Sequence, residues 1–293
     1  MKLLDESLRH MIVNGLAGCE VAEIISNAER LWVEVVGEKA AYLRTENDDV
    51  ILLSKKLYTP YTIAFQDQWN FLRDKLYNSM AVRFTEPFIV FGNGHKALLK
   101  NDANSAKVDF SCIPDEENLR LIYSAYNILF SSTDMDKLLQ RGIKAVRTGV
   151  VEKVLPTLQE LVGRGPGYTP AGDDFVSGVL LGFRMLNICV DAGPIIRYAS
   201  TVSSWPSWKM IEHAHHGCTF LPLYNLCRSI LSNKDGLEHL VDAIRIGGTT
   251  GLATLSGLLE TLMFFHSNLS KISFISRSIS AGGDHCISTT STP

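Results

Sequence analysis

The sequence predicts an α+β fold in which a β-rich N-terminal domain precedes an all-helical C-terminal domain. From residue 31 to residue 113, short runs rich in β-branched and aromatic residues alternate with turn residues. After residue 114, the apolar residues recur at spacings of three and four, which is typical of amphipathic helices. We therefore place a β-rich domain at 1–114, a helical domain at 115–280 and a polar tail at 281–293.

The N-terminal domain is predicted to be an antiparallel sheet or a small barrel. Its candidate strands are LWVEVV, VILLS, YTIAF, AVRF, PFIVFG and KALLK. The sequence Gly92-Asn93-Gly94 between the last two runs predicts a hairpin turn. The segment from Asp67 to Met80 is predicted to be a helix that interrupts the sheet.

Composition restricts the class of partner. Hydrophobic residues make up 46% of the chain and the formal net charge is -3, without the basic stripe that nucleic-acid binding requires. No stretch reaches the ~18 apolar residues of a membrane span. The six cysteines form no CxxC pair, which favours reduced thiols. We expect a cytoplasmic protein that binds neither nucleic acid nor membrane.

The segment GRGPGYTPAGDD, residues 163–174, directly precedes an apolar helical run. A glycine-rich turn that opens a helix presents backbone N–H groups at the positive end of the helix dipole and therefore attracts anions. Arg164 adds a fixed positive charge to this turn. The turn lacks the Lys of a Walker A motif, and its helical context excludes a dinucleotide-binding fingerprint.

A second segment repeats the pattern of the first. Thr169-Pro-Ala-Gly172, DDFVS and Gly178-Val-Leu correspond to Gly248-Thr-Thr-Gly251, LATLS and Gly257-Leu-Leu. We interpret the pair as a duplicated turn–helix unit whose turns converge at one end of the helical domain. The small residues Ser177-Gly178 and Ser256-Gly257 would let the two helices approach closely. The alternative is chance similarity over a short match.

The first turn also fits a purely structural interpretation. Thr169 as N-cap, Pro170 at the first helical position and two aspartates in the first turn make a stable helix start without any ligand. The number of glycines favours a binding site, because each costs about 0.5–1 kcal/mol in regular structure.

The string G-x-G-P-G-x-T-P-x-G-D-D at 163–174 resembles the signature of the AllH family, a subunit of oxamate carbamoyltransferase. The later Gly247-Gly-Thr-Thr-Gly251 with Ser256-Gly257 is similar to the second glycine motif of that family, and the resemblance is expected to cover most of the chain. Family members commonly carry Asp two positions after the last glycine of this motif, where the present chain has Ala253.

The resemblance implies a carbamoyltransferase subunit that converts oxalurate and phosphate into oxamate and carbamoyl phosphate, in allantoin and purine degradation. It implies a small anionic substrate, partner subunits and, as an alternative assembly, a homodimer. Asp173 and Asp174 are the predicted catalytic residues, which contact the substrate amide or, alternatively, hold Mg²⁺; no other cofactor is implied. The predicted substrate-binding residues are Arg164, Gly165, Gly167, Thr169, Gly172, Gly248, Thr249, Thr250 and Gly251.

Two alternatives to catalysis stay open. Ala253 favours a non-catalytic protein that binds a small anion or regulates a complex, and the small-residue helix faces also fit a structural subunit. His213-Ala-His215-His216 resembles a metal cluster, but two of these residues on one helical face make a poor zinc site. We therefore assign no metal ligand and leave the role of the three histidines open.

Overall fold

A computed structural model describes residues 12–56, 58–101, 108, 114–130, 136–232 and 236–276. The chain divides into two compact units, Met1–Lys107 and Val108–Pro293. The α+β class is confirmed, because strands dominate the described part of the first unit and helices form the second. The domain boundary near residue 114 stays a prediction, and the polar tail lies outside the described residues.

The strands of the first unit form a closed barrel with the order β1-β5-β4-β3-β2-β6-β7-β8. Two pairings, β1 with β8 and β4 with β5, are parallel and the others are antiparallel. The small barrel among the two predicted alternatives is therefore the one observed. The strands are β1 Ile12–Ala17, β2 Leu31–Val36, β3 Ala40–Thr45, β4 Val50–Ser54, β5 Thr62–Ala64, β6 Ala81–Thr85, β7 Phe88–Phe91 and β8 Lys96–Asn101.

Alternating side chains fill the barrel interior, as the period of two in a strand requires. Val33, Leu43 and Ile63 have no solvent exposure. The predicted hairpin at Gly92-Asn93-Gly94 is confirmed by the antiparallel pairing of β7 with β8.

The predicted helix from Asp67 to Met80 is wrong in length. A 3₁₀ turn at Gln66–Gln68 leads into a short helix, Trp69–Arg73. Ser79, at φ 64°, adopts a backbone conformation that an α-helix excludes, so the segment ends in irregular structure.

The described helices are numbered in chain order, and two of them form the centre of the second unit. The central helices α6 and α11 pack against each other; α8 also packs on α6, and α3 and α4 pack on α11. Every residue of α6 except Arg184 is buried, because its sequence is uncharged from Phe175 to Phe183. The helices are α1 Val21–Ser26, α2 Trp69–Arg73, α3 Glu116–Phe130, α4 Asp136–Val146, α5 Val151–Leu161, α6 Ala171–Met185, α7 Gly193–Val202, α8 Trp205–His215, α9 Leu221–Ser232, α10 Leu237–Ile244 and α11 Thr250–Ser276.

An ionic network around the buried Glu260 connects α11 to its neighbours. Glu260 is 2% exposed, and its carboxylate accepts hydrogen bonds from Arg147 Nε at 2.8 Å and Nη2 at 2.7 Å. The Tyr123 hydroxyl donates a third hydrogen bond to Glu260 at 3.0 Å. This bidentate pairing satisfies a carboxylate whose burial would otherwise be costly, and it raises the pKa of Arg147 above its usual value.

Within the described ranges, no helix has both the length and the apolar character needed to cross a membrane.

Candidate functional site

The helices α6 and α11 are in backbone contact at two reciprocal glycines. A Cβ atom added to Gly178 would lie 2.0 Å from the Thr254 carbonyl oxygen, and one added to Gly257 would lie 2.2 Å from that of Phe175. Phe175 and Thr254 each precede the glycine of their own helix by three residues, so the contact is symmetric. The predicted close approach of the two small-residue faces is confirmed.

The two helices run parallel, so their starts lie at the same end. One turn beyond Gly178, a Cβ atom on Gly182 would meet Thr261, one turn beyond Gly257, at 2.7 Å. At the helix starts, the hydroxyl oxygens of Thr169 and Thr250 are 3.3 Å apart. The two glycine turns therefore converge, as the repeat predicts.

The glycines that open the two helices also make the same kinds of contact. The Gly172 amide donates to the carbonyl of Arg164, and the Gly251 amide donates to that of Ile246, both at 2.9 Å. A Cβ atom on Gly172 would lie 2.0 Å from the Leu161 carbonyl, and one on Gly251 would lie 2.1 Å from that of Ala243. These matching contacts favour duplication of a helix–glycine turn–helix unit over chance similarity.

Close packing within the chain thus explains two of the glycines that suggested a ligand. Gly172 and Gly251 are required because the preceding helix touches their α-carbons. Three others, Gly163, Gly165 and Gly167, adopt φ values of 74°, 111° and 101°, which disfavour any residue with a Cβ atom. The glycine content of the first turn therefore reflects backbone geometry and does not by itself indicate a ligand.

Asp173 uses both carboxylate oxygens inside the chain. Its Oδ1 accepts a hydrogen bond from the Gly163 amide and its Oδ2 accepts one from the Ser207 hydroxyl, each at 2.6 Å. With an exposure of 1%, the side chain connects the first glycine turn to α8. These contacts favour a structural role over direct contact with a substrate.

Asp174, the next residue, differs in its surroundings. It is also 1% exposed, but its Oδ2 atom is buried without a hydrogen-bond partner in the described part of the chain. Burial raises the pKa of Asp174 well above its usual value, and Asp173 adds to this effect, although a hydrogen bond with Thr250 opposes it. A polar path therefore runs from a buried acid through Thr250 to Thr169.

The amides of the two turns fall into two groups. Those of Gly163, Arg164, Gly172, Asp173 and Gly251 are hydrogen-bonded within the chain. Those of Gly165, Gly167, Gly248 and Thr249 are on exposed residues and have no partner among the residues described. The outer part of the twin turns thus retains donors that an anion could use.

Comparison with protein families bears on this region of the chain. Residues 161–262 match the family model described as oxamate carbamoyltransferase subunit AllH. This segment is AllH-like. The match confirms the resemblance predicted from the first glycine motif. Comparison with curated proteins and with solved structures gave no match.

The AllH-like segment coincides with the part of the chain that contains the two glycine turns. It begins at the last residue of α5, includes both glycine turns and the whole of α6, and ends within α11. The expectation that the resemblance covers most of the chain is not supported, because the match does not reach the β-barrel.

Ala253 occupies, in the second turn of the AllH-like segment, the position that corresponds to Asp174. Each residue lies two positions after the glycine that contacts the preceding helix. Ala253 has no solvent exposure. The junction of the two glycine turns, where Thr169 meets Thr250, therefore contains acidic residues on the α6 side only.

Two details of the first turn differ from the sequence-based expectations. Pro170, rather than Thr169, is the N-cap residue of α6, and the Thr169 hydroxyl faces Thr250 instead of capping. The side chain of Arg164 lies away from the junction: its Nε donates to the Glu160 carbonyl at 3.4 Å, and the residue lines a groove between α4 and α5. The predicted roles of all these residues in substrate binding or catalysis stay predictions.

The three histidines do not form a recognisable metal site. Among the described residues, no group of three His, Cys, Asp or Glu side chains is placed to hold a metal ion. The rings of His215 and His216 are 5.2 Å apart. Burial, His216 and Arg184 lower the pKa of His215, so this imidazole is neutral at physiological pH.

The cysteines differ from the expectation at one position. Cys189 is disulfide-bonded, so the prediction of reduced thiols is wrong there. Cys19, Cys218 and Cys227 are thiols outside any disulfide bond. Burial raises the pKa of the Cys227 thiol to about 12, which makes it a poor nucleophile.

Sequence reasoning missed three residues that shape the region. Ser207 on α8 is a partner of Asp173, and Lys137 and Arg141 on α4 line the groove that receives Arg164. The spacing of Lys137 and Arg141, four residues apart on a helix, is the one signal that could have indicated a cationic face. No pattern in the sequence connects Ser207 to Asp173.

Proposed function

We propose that the chain is an AllH-type subunit of an oxamate carbamoyltransferase and that the junction of its two glycine turns binds the small anionic substrate. The proposal rests on one observation. Within the AllH-like segment, Asp174 is a buried acid located where the starts of two parallel helices meet, and one of its oxygens has no hydrogen-bond partner among the described residues. An unsatisfied buried carboxyl costs about 1–3 kcal/mol, which a function would justify.

Each of these side chains has a separate role in the proposed reaction. Burial raises the pKa of Asp174, which favours the protonated carboxyl, and we assign to it the roles of hydrogen-bond donor and general acid. The hydroxyls of Thr250 and Thr169 extend its reach to the exposed turns. Asp173 positions the first turn through Gly163 and Ser207 and does not touch the substrate.

The reaction fits these roles. An oxygen of hydrogen phosphate attacks the carbamoyl carbon of oxalurate, the C–N bond to the oxamate nitrogen breaks, and that nitrogen takes up a proton. Asp174 supplies this proton through the threonine hydroxyls and regains one from the hydrogen phosphate. Negative charge that develops on the carbamoyl oxygen is stabilised by the exposed amides of Gly248 and Thr249.

The test is carbamoyl transfer by the chain assembled with its partner subunits. Carbamoyl phosphate formed from oxalurate and phosphate is measured for the wild type, Asp174→Asn and Asp242→Asn. Asp242 is an exposed acid on α10, outside the junction, and serves as the matched control. We expect Asp174→Asn to lower kcat by about 10²-fold or more, as for loss of a general acid, and Asp242→Asn to leave it unchanged.

Two outcomes would contradict the proposal. One is an assembled wild-type complex that transfers no carbamoyl group, and the other is full activity of the Asp174→Asn complex.

A non-catalytic anion-binding subunit is the second candidate, and Ala253 favours it. The second half of the junction has the apolar Ala253 at the position where the first half has the acid Asp174. This candidate predicts that the chain alone binds oxamate in a calorimetric titration, while transfer by the complex is insensitive to Asp174→Asn.

A further inference from the structure

A groove of about 530 Å³ lies between α4 and the end of α5, beside the first glycine turn. Three cationic side chains line it, Lys137 and Arg141 from α4 and Arg164 from the turn, together with the carboxylate of Glu160. Leu138 and Leu161 add apolar surface to the same wall. We call this the basic groove.

The glycine turn holds the backbone of Arg164 in place. Gly163 and Gly165, on either side of it, both adopt positive φ, which reverses the chain at this residue. The Arg164 carbonyl accepts from the Gly172 amide at 2.9 Å, and its amide donates to the Leu161 carbonyl at 3.0 Å. The side chain reaches back to α5, where its Nε donates to the Glu160 carbonyl at 3.4 Å, and it lines the basic groove.

The charges of the basic groove are not balanced within its walls. The pair between Arg141 and Glu160 is long, at 3.7 Å, and its side chains are 81% and 66% exposed. Such an exposed pair is weak, because water and salt screen it. Among the lining residues that the structure describes, one carboxylate against three cations leaves an excess of positive charge beside apolar surface.

We propose that the basic groove binds the anionic group, phosphate or carboxylate, of a small molecule. Its volume is in the usual range for small-molecule sites, and guanidinium groups bind both anions through paired hydrogen bonds. The groove is distinct from the junction that we propose to bind the substrate, because the side chain of Arg164 lies away from that junction. The site itself is tested on the isolated chain.

Inorganic phosphate is the probe, titrated into the full-length chain at low ionic strength and followed by calorimetry. Arg141→Ala and Arg164→Ala each remove one cation from the groove. Lys153→Ala is the matched control, because Lys153 is an exposed cation on α5 that does not line the groove. We expect each arginine variant to weaken phosphate binding about tenfold or more, and the control to change it less than twofold.

Glu160→Gln gives an expectation of opposite sign. Removing the one carboxylate that lines the groove should tighten phosphate binding severalfold, which a misfolded variant would not do. The inference is overturned if the wild type shows no saturable phosphate binding, or if Lys153→Ala weakens it as much as Arg141→Ala. Carbamoyl transfer that fails while this binding pattern holds would remove the proposed function and leave the basic groove intact.

Discussion

The two glycine turns share their backbone arrangement but carry different side chains. In both, the amide of the glycine that opens the helix donates to a carbonyl of the preceding turn, and a second glycine touches the other helix. The first helix then carries Asp173 and Asp174, whereas the second carries Leu252 and Ala253. Further along, the second helix buries Glu260 in its ionic network.

This comparison distinguishes the residues that hold the two helices together from those that could act on a ligand. The glycines that the two units share are explained by contacts within the chain, and those contacts are symmetric. The charged side chains that we assign to a ligand, the acid Asp174 and the arginine of the first turn, both belong to the first unit. The repeat therefore provides a rigid junction, and only its first half provides a candidate acid.

The largest effect should come from breaking the shared contact. Gly178→Ala and Gly257→Ala each place a methyl group about 2 Å from a backbone oxygen of the other helix. We expect each to lower the free energy of unfolding by about 3 kcal/mol, because backbone atoms cannot move aside cheaply. Urea unfolding monitored by circular dichroism measures the loss.

The control for this pair is Gly248→Ala. Nothing lies within 4 Å of the added methyl group at this exposed position, so stability should hardly change. Clearly unequal losses for Gly178→Ala and Gly257→Ala would contradict the symmetric contact.

An intermediate effect is expected from Asp173, which only the first unit possesses. Asp173→Ala leaves the Gly163 amide and the Ser207 hydroxyl without their acceptor. We expect a loss of about 1–3 kcal/mol in unfolding free energy and faster proteolysis within 163–170. Ser207→Ala removes one of the two hydrogen bonds and should cost less; an equal or larger cost would argue against Asp173 as the anchor.

The smallest effect, with the opposite sign, concerns Asp174. Burial raises its pKa, so the stability that it contributes is present below the ordinary pKa of an aspartate and is lost as pH rises through the raised value. Asp174→Asn cannot ionise, and its amide retains a hydrogen-bonding group for Thr250. At pH 8 we expect its Tm to exceed that of the wild type by about 2–4 °C, with the difference disappearing towards pH 4.

Thermal unfolding at pH 4, 6 and 8 measures this trend. A Tm difference that is the same at all three pH values would show that Asp174 does not change its protonation on folding.

Local patterns in the sequence were sufficient for the class of the fold and for the repeat. Periods of two and of three to four separate the strands from the helices, and Gly92-Asn93-Gly94 marks the hairpin between β7 and β8. The glycine motif identified the AllH-like segment. These features depend on residues close together in the chain, which is why the sequence alone determined them.

The tertiary structure alone decided what each site residue contacts. Asp173 and Asp174 are adjacent in sequence, but successive residues on a helix point about 100° apart. One therefore faces Gly163 and Ser207, while the other faces Thr250 and has a buried oxygen without a partner in the described part of the chain. Arg164 likewise contacts Glu160 of α5 and lines the groove between α4 and α5, away from the second turn. Such directions depend on which helix packs opposite, and spacing along the chain does not encode them.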